Sequence, residues 1–169
     1  MEKRNVTVSA IVAAIVLIGD QLSKHWAETW LRTNGEYKIW DGVLHLRYVE
    51  NRGAAFGMMQ GGKWFFLAIT GIACAAMLYF LIKERKRLHF MMTFSLALLL
   101  SGAIGNLIDR VALGYVRDMI YVALIDFAVF NVADMAVTVG CCLLVLDLMF
   151  FKGKKYMEMM DKKPQTGEN

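Results

Sequence analysis

The sequence predicts a mainly helical membrane protein: four transmembrane helices, a small extracytoplasmic β-sheet and a short interfacial helix. Three observations carry that prediction. The 169 residues are 57% hydrophobic, with a mean hydropathy of +0.44, too apolar for an ordinary soluble domain of this length. The excess is concentrated in four long runs, at about 6–22, 64–82, 88–108 and 129–151. Three of these reach the roughly 20 residues that a helix needs to cross the hydrocarbon core, and the first reaches that length once Asp20 and the following turn are counted. Finally, basic residues cluster at Lys3-Arg4, within Lys83 to Arg87, and at Lys152, Lys154 and Lys155, all on one side of a four-span chain.

That charge pattern orients the protein. The basic side is cytoplasmic, both termini are inside, and the segments 23–63 and 109–128 face outward. Met1 to Arg4 followed by an apolar run resembles a cleavable secretory signal. No small-x-small cleavage site follows, however, and Asp20 to Lys24 continues the helical pattern, so a retained first span is expected. The pI of about 9.0 reflects cytoplasmic anchoring residues that also suit contact with membrane lipids, and no basic-aromatic pattern points to nucleic acid.

Beyond the first span, Glu28 to Leu31 with Trp26 and Trp30 reads as a short helix in the interface, where tryptophan is favoured. Tyr37 to Glu50 then alternates apolar and polar residues around Gly42, a hairpin signal, and Val116 to Val129 shows a similar two-residue rhythm. A small sheet beside the outer helix mouth is therefore expected. Residues 1–160 read as one membrane-embedded domain, and 161–169, with the chain's single proline, read as a disordered cytoplasmic tail. Cys74, Cys141 and Cys142 fall at mid-membrane depth and read as packing residues. The Met-rich composition reads the same way.

With this topology the polar residues converge on one membrane face. Asp20 and Lys24 lie at the outer end of span one; Asn106, Asp109 and Arg110 at the outer end of span three; Asp118 in the second outer segment; Asn131 and Asp134 at the start of span four. Ionisable residues this close to a bilayer are costly enough to mark a functional site. No His-Glu-x-x-His zinc motif is present, and Ser23-Lys24 are helical neighbours that do not face each other, so zinc and serine hydrolysis are set aside. What remains is a carboxylate pair. Two aspartates held close share one proton, so the ionised member can take a proton from water while the protonated member polarises a carbonyl, with no metal or cofactor. Asn131, three residues before Asp134, is placed to orient the pair from the same helix face.

Other readings stay open on the residues alone. Asp118 could end a strand and pair with Arg117 or Arg110, and Asp134 could cap span four. Asp20 and Lys24, spaced i, i+4, serve either as an ion pair or as substrate contacts. Asp109-Arg110 reads as an orienting pair, Asn51 as a loop amide for substrate backbone, and Asn106 as either. Transport and non-enzymatic lipid binding are the competing functions. A proton-coupled transporter, however, would place its acid near mid-membrane and would not need two large outer segments.

The string Gly102-Ala103-Ile104-Gly105-Asn106-Leu107-Ile108-Asp109-Arg110, then Val116-Arg117-Asp118, then Phe130-Asn131-Val132-Ala133-Asp134, resembles the paired signature of the bacterial lipoprotein signal peptidases, the type II signal peptidases. Asp20 to Lys24 and Asn51-Arg52-Gly53-Ala54-Ala55-Phe56 resemble that family's two earlier motifs in the same order, and the likeness spans about residues 15–140. It implies an aspartyl endopeptidase, with Asp118 and Asp134 as the catalytic pair. It also implies cleavage of diacylglyceryl-modified prolipoproteins just before the lipidated cysteine. Gly53 and Phe56 would belong to a segment closing over the substrate, and a monomer would suffice. Two positions depart from the pattern: Ser101 replaces a glycine, and Met119, where phenylalanine is usual, is expected to fill a lipid-facing gap.

Overall fold

The computed structural model describes residues 2–53 and 63–161. Helix α1, Glu2–Trp26, runs without a break into a π-helical turn, Ala27–Leu31, and a last turn, α2, Arg32–Asn34. Gly35, at φ 82°, adopts the left-handed backbone that ends it. The expected interfacial helix is thus a continuation of the first span. The widened turn presents Ala27 and Leu31 to the sheet, while Trp26 and Trp30 stay exposed and stack 5.6 Å apart.

Strands β1, Tyr37–Trp40, and β2, Leu44–Asn51, form the expected hairpin, with Gly42 at φ 72° in its turn. Helix α3, Lys63–Glu84, and helix α4, Phe90–Ala112, follow. Strand β3, Val116–Val122, returns to pair antiparallel with β2, giving the sheet order β1-β2-β3. The strand rhythm expected to Val129 stops at Val122, where the chain enters a 3-10 turn, Ala123–Ile125, and then Asp126 at φ 47°. Helix α5 is Val132–Phe150 and α6 is Lys152–Asp161. Among the described residues, four stretches are long and apolar enough to cross a membrane: Asn5–Asn34, Trp64–Glu84, Phe90–Ala112 and Val132–Phe150. The expected fold class is borne out.

Helix α4 is the centre of the bundle and packs against α1, α3 and α5. Half of its most apolar stretch is buried, whereas none of α3's is, so α3 lies at the periphery with Ile72, Tyr79 and Ile82 facing outward. Glycines set the α4–α5 spacing. A Cβ on Gly140 would lie 2.9 Å from the Ser95 carbonyl oxygen, and one on Gly102 would collide with the carbonyl oxygen of Ala133. At the other end from the sheet, α6 folds back so that Tyr156 joins Leu88, Met92 and Leu96. There the fully buried Asp147 meets His89 Nε2 at 2.8 Å. Neither α6 nor this pair was expected. The tail beyond Asp161 and the lid residue Phe56 lie outside the described residues.

Met119 is only 2% exposed and packs on Ala27 and Leu31. The lipid-facing position expected for it is therefore incorrect: the π-helical turn covers that side of β3. Ser101 is buried, with its hydroxyl donating to the Leu98 carbonyl at 3.0 Å, a small residue that satisfies its own polar group.

Candidate active site

The site forms where the sheet edge meets the starts of α5 and the ends of α1 and α4. Asn131 organises it. It is the N-cap of α5, extended at φ −135°, and it forms a capping box with Asp134: its Oδ1 accepts from the Asp134 N–H at 2.9 Å, and its own N–H donates to Asp134 Oδ2 at 3.1 Å. Its Nδ2 donates to Asp118 Oδ1 at 2.6 Å. One asparagine therefore bridges both carboxylates. Asn131 had been expected on a helix face; the structure places it outside the helix, because an N-cap must be extended for its side chain to reach back to the third residue.

Two further amides complete the ring. Asn51, the last residue of β2, donates to Asp118 Oδ2 at 3.0 Å, and its Oδ1 accepts from the Gly53 N–H at 3.0 Å. Asn106 donates from Nδ2 to Asp134 Oδ1 at 2.8 Å, while its Oδ1 receives Lys24 Nζ at 2.9 Å and Asn131 Nδ2 at 3.1 Å. Because Lys24 only donates, it fixes which way the Asn106 amide faces. Among the described residues no cation pairs with Asp118, so the pairing with Arg117 or Arg110 considered from sequence is not found. Asp134 does cap its helix, so capping and membership of the site are one arrangement. Burial, and then the charge of Asp134, push the Asp118 carboxyl up to about 7, against the pull of the Asn51 and Asn131 donors and of Lys24.

Behind the carboxylates lies a buried ionic layer. Lys24, fully buried, contacts Asp20 at 2.8 Å and Asp109 at 3.7 Å. Asp20 Oδ1 accepts from the Ala133 N–H at 2.9 Å, tying α1 to the first turn of α5. Arg117 grips Asp109 through Nη2 at 2.8 Å and Nε at 3.2 Å, and reaches Glu28 at 3.0 Å and Gln21 at 3.2 Å. These partners hold the Arg117 guanidinium above its ordinary range, Asp109 first. The expected Asp109-Arg110 pair is therefore corrected: successive helical residues diverge by about a quarter turn or more, and Arg117 on β3 faces Asp109 instead. Arg110 points the other way, 5.3 Å from the centroid of the Phe66 ring, with Nη1 on the Asn106 carbonyl at 3.4 Å.

Arg117, Gln21 and Glu28 were missed as site residues. The signal for Arg117 was present: it adjoins Asp118 on a strand, so the two must point to opposite faces and cannot pair. Gln21 and Glu28 reach the site only through that arginine, which no local pattern reveals. Gly102 supports the site from below, through α4–α5 packing, and does not line it.

In front of the carboxylates opens a cleft of about 600 Å³. Asn51, Gly53, Asn106, Arg110, Asp118 and Asp134 line its polar end, and Phe127, Phe130, Met135 and Val139 its apolar wall. Met135 and Val139 are about half exposed on the outer side of α5, so the cleft runs along the face that meets the lipid.

A four-helix membrane bundle with two amide-bridged carboxylates at the head of such a cleft defines a polytopic membrane protein with a polar site beside an exposed apolar helix face. Residues 12–150 match the family described as Signal peptidase (SPase) II. The chain is 46% identical over 142 residues to the lipoprotein signal peptidase of Streptococcus thermophilus, spanning 83% of this chain and 92% of that protein. It is 43% identical over 145 residues to that of Clostridioides difficile, spanning 85% and 97%. A bacterial membrane enzyme solved by the in meso method at 2.3 Å resolution superposes with a TM-score of 0.77 at 32% identity, covering 96% of this chain and 95% of that one. This chain belongs to the signal peptidase II family, the bacterial lipoprotein signal peptidases. It is a multi-pass membrane peptidase that removes signal peptides from prolipoproteins, and the transporter reading is set aside.

Proposed function

We propose that Asp118 and Asp134 are an aspartyl catalytic dyad that hydrolyses the peptide bond just before the diacylglyceryl-modified cysteine of a prolipoprotein. The single observation that carries this reading is the bridging of both buried carboxylates by Asn131, which holds them side by side at the head of a lipid-facing cleft. The pair carries one proton. A water molecule between the carboxylates gives a proton to the ionised member as its oxygen attacks the scissile carbonyl, whose oxygen receives the proton of the other member. Collapse of the tetrahedral intermediate breaks the C–N bond: the departing cysteine nitrogen takes a proton from one aspartate while a hydroxyl of the intermediate returns its proton to the other, restoring the singly protonated pair. The products are a signal peptide ending in a carboxyl group and a mature chain beginning with the cysteine amine. Oxyanion stabilisation falls to the protonated aspartate and the nearby amides.

Asn51 and Gly53 border the polar end, where they suit substrate backbone, and Arg110 adds a cation to the cleft wall. The diacylglyceryl group would lie along Phe130, Met135 and Val139 with its chains in the surrounding lipid. The basic ends of the spans support cytoplasmic termini and a site at the outer face, and one copy of the chain supplies every residue named. The test is cleavage of a diacylglyceryl-modified prolipoprotein by the purified protein, with the new N-terminus read by mass spectrometry. A mature product beginning at the lipidated cysteine is expected. Cleavage elsewhere, or equal rates on a substrate with an unmodified cysteine, would contradict the reading.

A further inference from the structure

A second groove, of about 430 Å³, also reaches Asp118. It shares Asn51 and residues 127–129 with the apolar cleft but turns onto the sheet, where Arg47, Glu50, Arg52, Tyr121 and Asp126 line it. Most of these groups are engaged. Arg52 Nη2 donates to Glu50 at 3.1 Å, and the Tyr121 hydroxyl donates to Asp126 at 2.6 Å. Arg47 differs. Its guanidinium lies over the Tyr121 ring, 4.1 Å from the centroid, its Nε is buried with no hydrogen-bond partner, and among the described residues no carboxylate forms an ion pair with it. A guanidinium stacked on a ring keeps its in-plane N–H fork available, the geometry that matches a carboxylate.

We propose that this groove is a subsite for the polypeptide that follows the cleaved bond, the leading residues of the mature lipoprotein, and that Arg47 selects an acidic side chain there. The inference rests on the dyad reading above. The lipid and the signal segment are apolar and suit the cleft along α5, whereas the chain beyond the cysteine leaves the membrane and needs a polar path from the same carboxylates. Arg47 lies four residues along β2 from Asn51, on the order of 13 Å at the usual rise of a strand. An extended substrate would thus bring about its third to fifth residue after the cleaved bond over the guanidinium.

The experiment uses matched diacylglyceryl-modified prolipoproteins with Asp or Lys at the third to fifth positions after the bond, and measures kcat/KM for wild type, Arg47→Gln and Arg47→Glu. Wild type should favour the acidic substrate by about tenfold, attraction in one substrate adding to repulsion in the other. Arg47→Gln should bring the ratio near one and Arg47→Glu should reverse it. The ratio within each enzyme is independent of how much protein is folded, so a poorly folding variant still reports. The same ratio in all three enzymes would overturn the subsite, while failure of wild type to cleave either substrate would instead overturn the peptidase reading beneath it.

Discussion

Lys24 is buried at a helix end, and replacing it with methionine tests the buried ionic layer. The side chain is 0% exposed and serves Asp20 at 2.8 Å, Asp109 at 3.7 Å and the Asn106 amide oxygen at 2.9 Å. Methionine fills nearly the same volume, so the perturbation is one of charge. Removing one partner of a buried pair leaves the other uncompensated, at about 3–5 kcal/mol. For a chain of this length that is a fall in thermal midpoint of roughly 10 °C, read by circular dichroism in detergent. Adding Asp20→Asn removes the orphaned charge while keeping an acceptor for the Ala133 N–H. The double variant should therefore regain at least about half the loss, because the two positions interact directly. Freed of Lys24, Asn106 can turn its amide, so turnover should stay low even where stability returns. A Lys24→Met protein within about 1 kcal/mol of wild type, or a double variant less stable than the single one, would refute the charge-balance reasoning.

Other outcomes follow from the same geometry. Cleavage should decline as pH rises through about 7, where the raised Asp118 carboxyl gives up the proton the dyad needs, and should decline again in acid when both members are protonated; kcat/KM measured from pH 4 to 9 checks this, and a rate still rising at pH 9 would contradict it. Gly102→Val should force α4 from α5, with a cost of about 1–3 kcal/mol and loss of turnover as the 2.8 Å Asn106–Asp134 bond opens. Gly71→Val, where an added Cβ would meet nothing within 4 Å beyond its own helix backbone, should be neutral in the same thermal assay. Arg117→Lys keeps the charge but loses the fork on Asp109, so it should cost about 1.5–3 kcal/mol and slow cleavage, measured together as midpoint and kcat.

Much of this architecture is written in local patterns. The spans are legible because a helix must hide its own backbone from lipid, which requires about 20 apolar residues in a row. The hairpin is legible from alternation around Gly42, and the convergence of Asp20, Asn106, Asp118 and Asp134 follows from an even number of crossings. Partner choice was not legible. Asp109 has Arg110 beside it in sequence, yet it binds Arg117, whose side chain is aimed by a strand eight residues on. Asn131 looked like a helical neighbour of Asp134, whereas capping geometry made it the bridge between the carboxylates. The π-helical turn and the fold-back of α6 arise from packing between elements, with Leu31 meeting Met119 and Tyr156 meeting Leu88, contacts that no single segment encodes. Arg47 carries no local signal, because its significance lies in the absence of a carboxylate partner among the described residues.

The most direct measurement of the central claim compares wild type, Asp118→Asn and Asp134→Asn on one diacylglyceryl-modified prolipoprotein, following cleavage by gel shift and substrate binding in parallel. Each asparagine preserves shape and an acceptor oxygen while removing the ionisable proton. The account predicts that both variants bind substrate, keep the wild-type fold and lose turnover; normal cleavage by either would remove that aspartate from the chemistry and contradict the dyad.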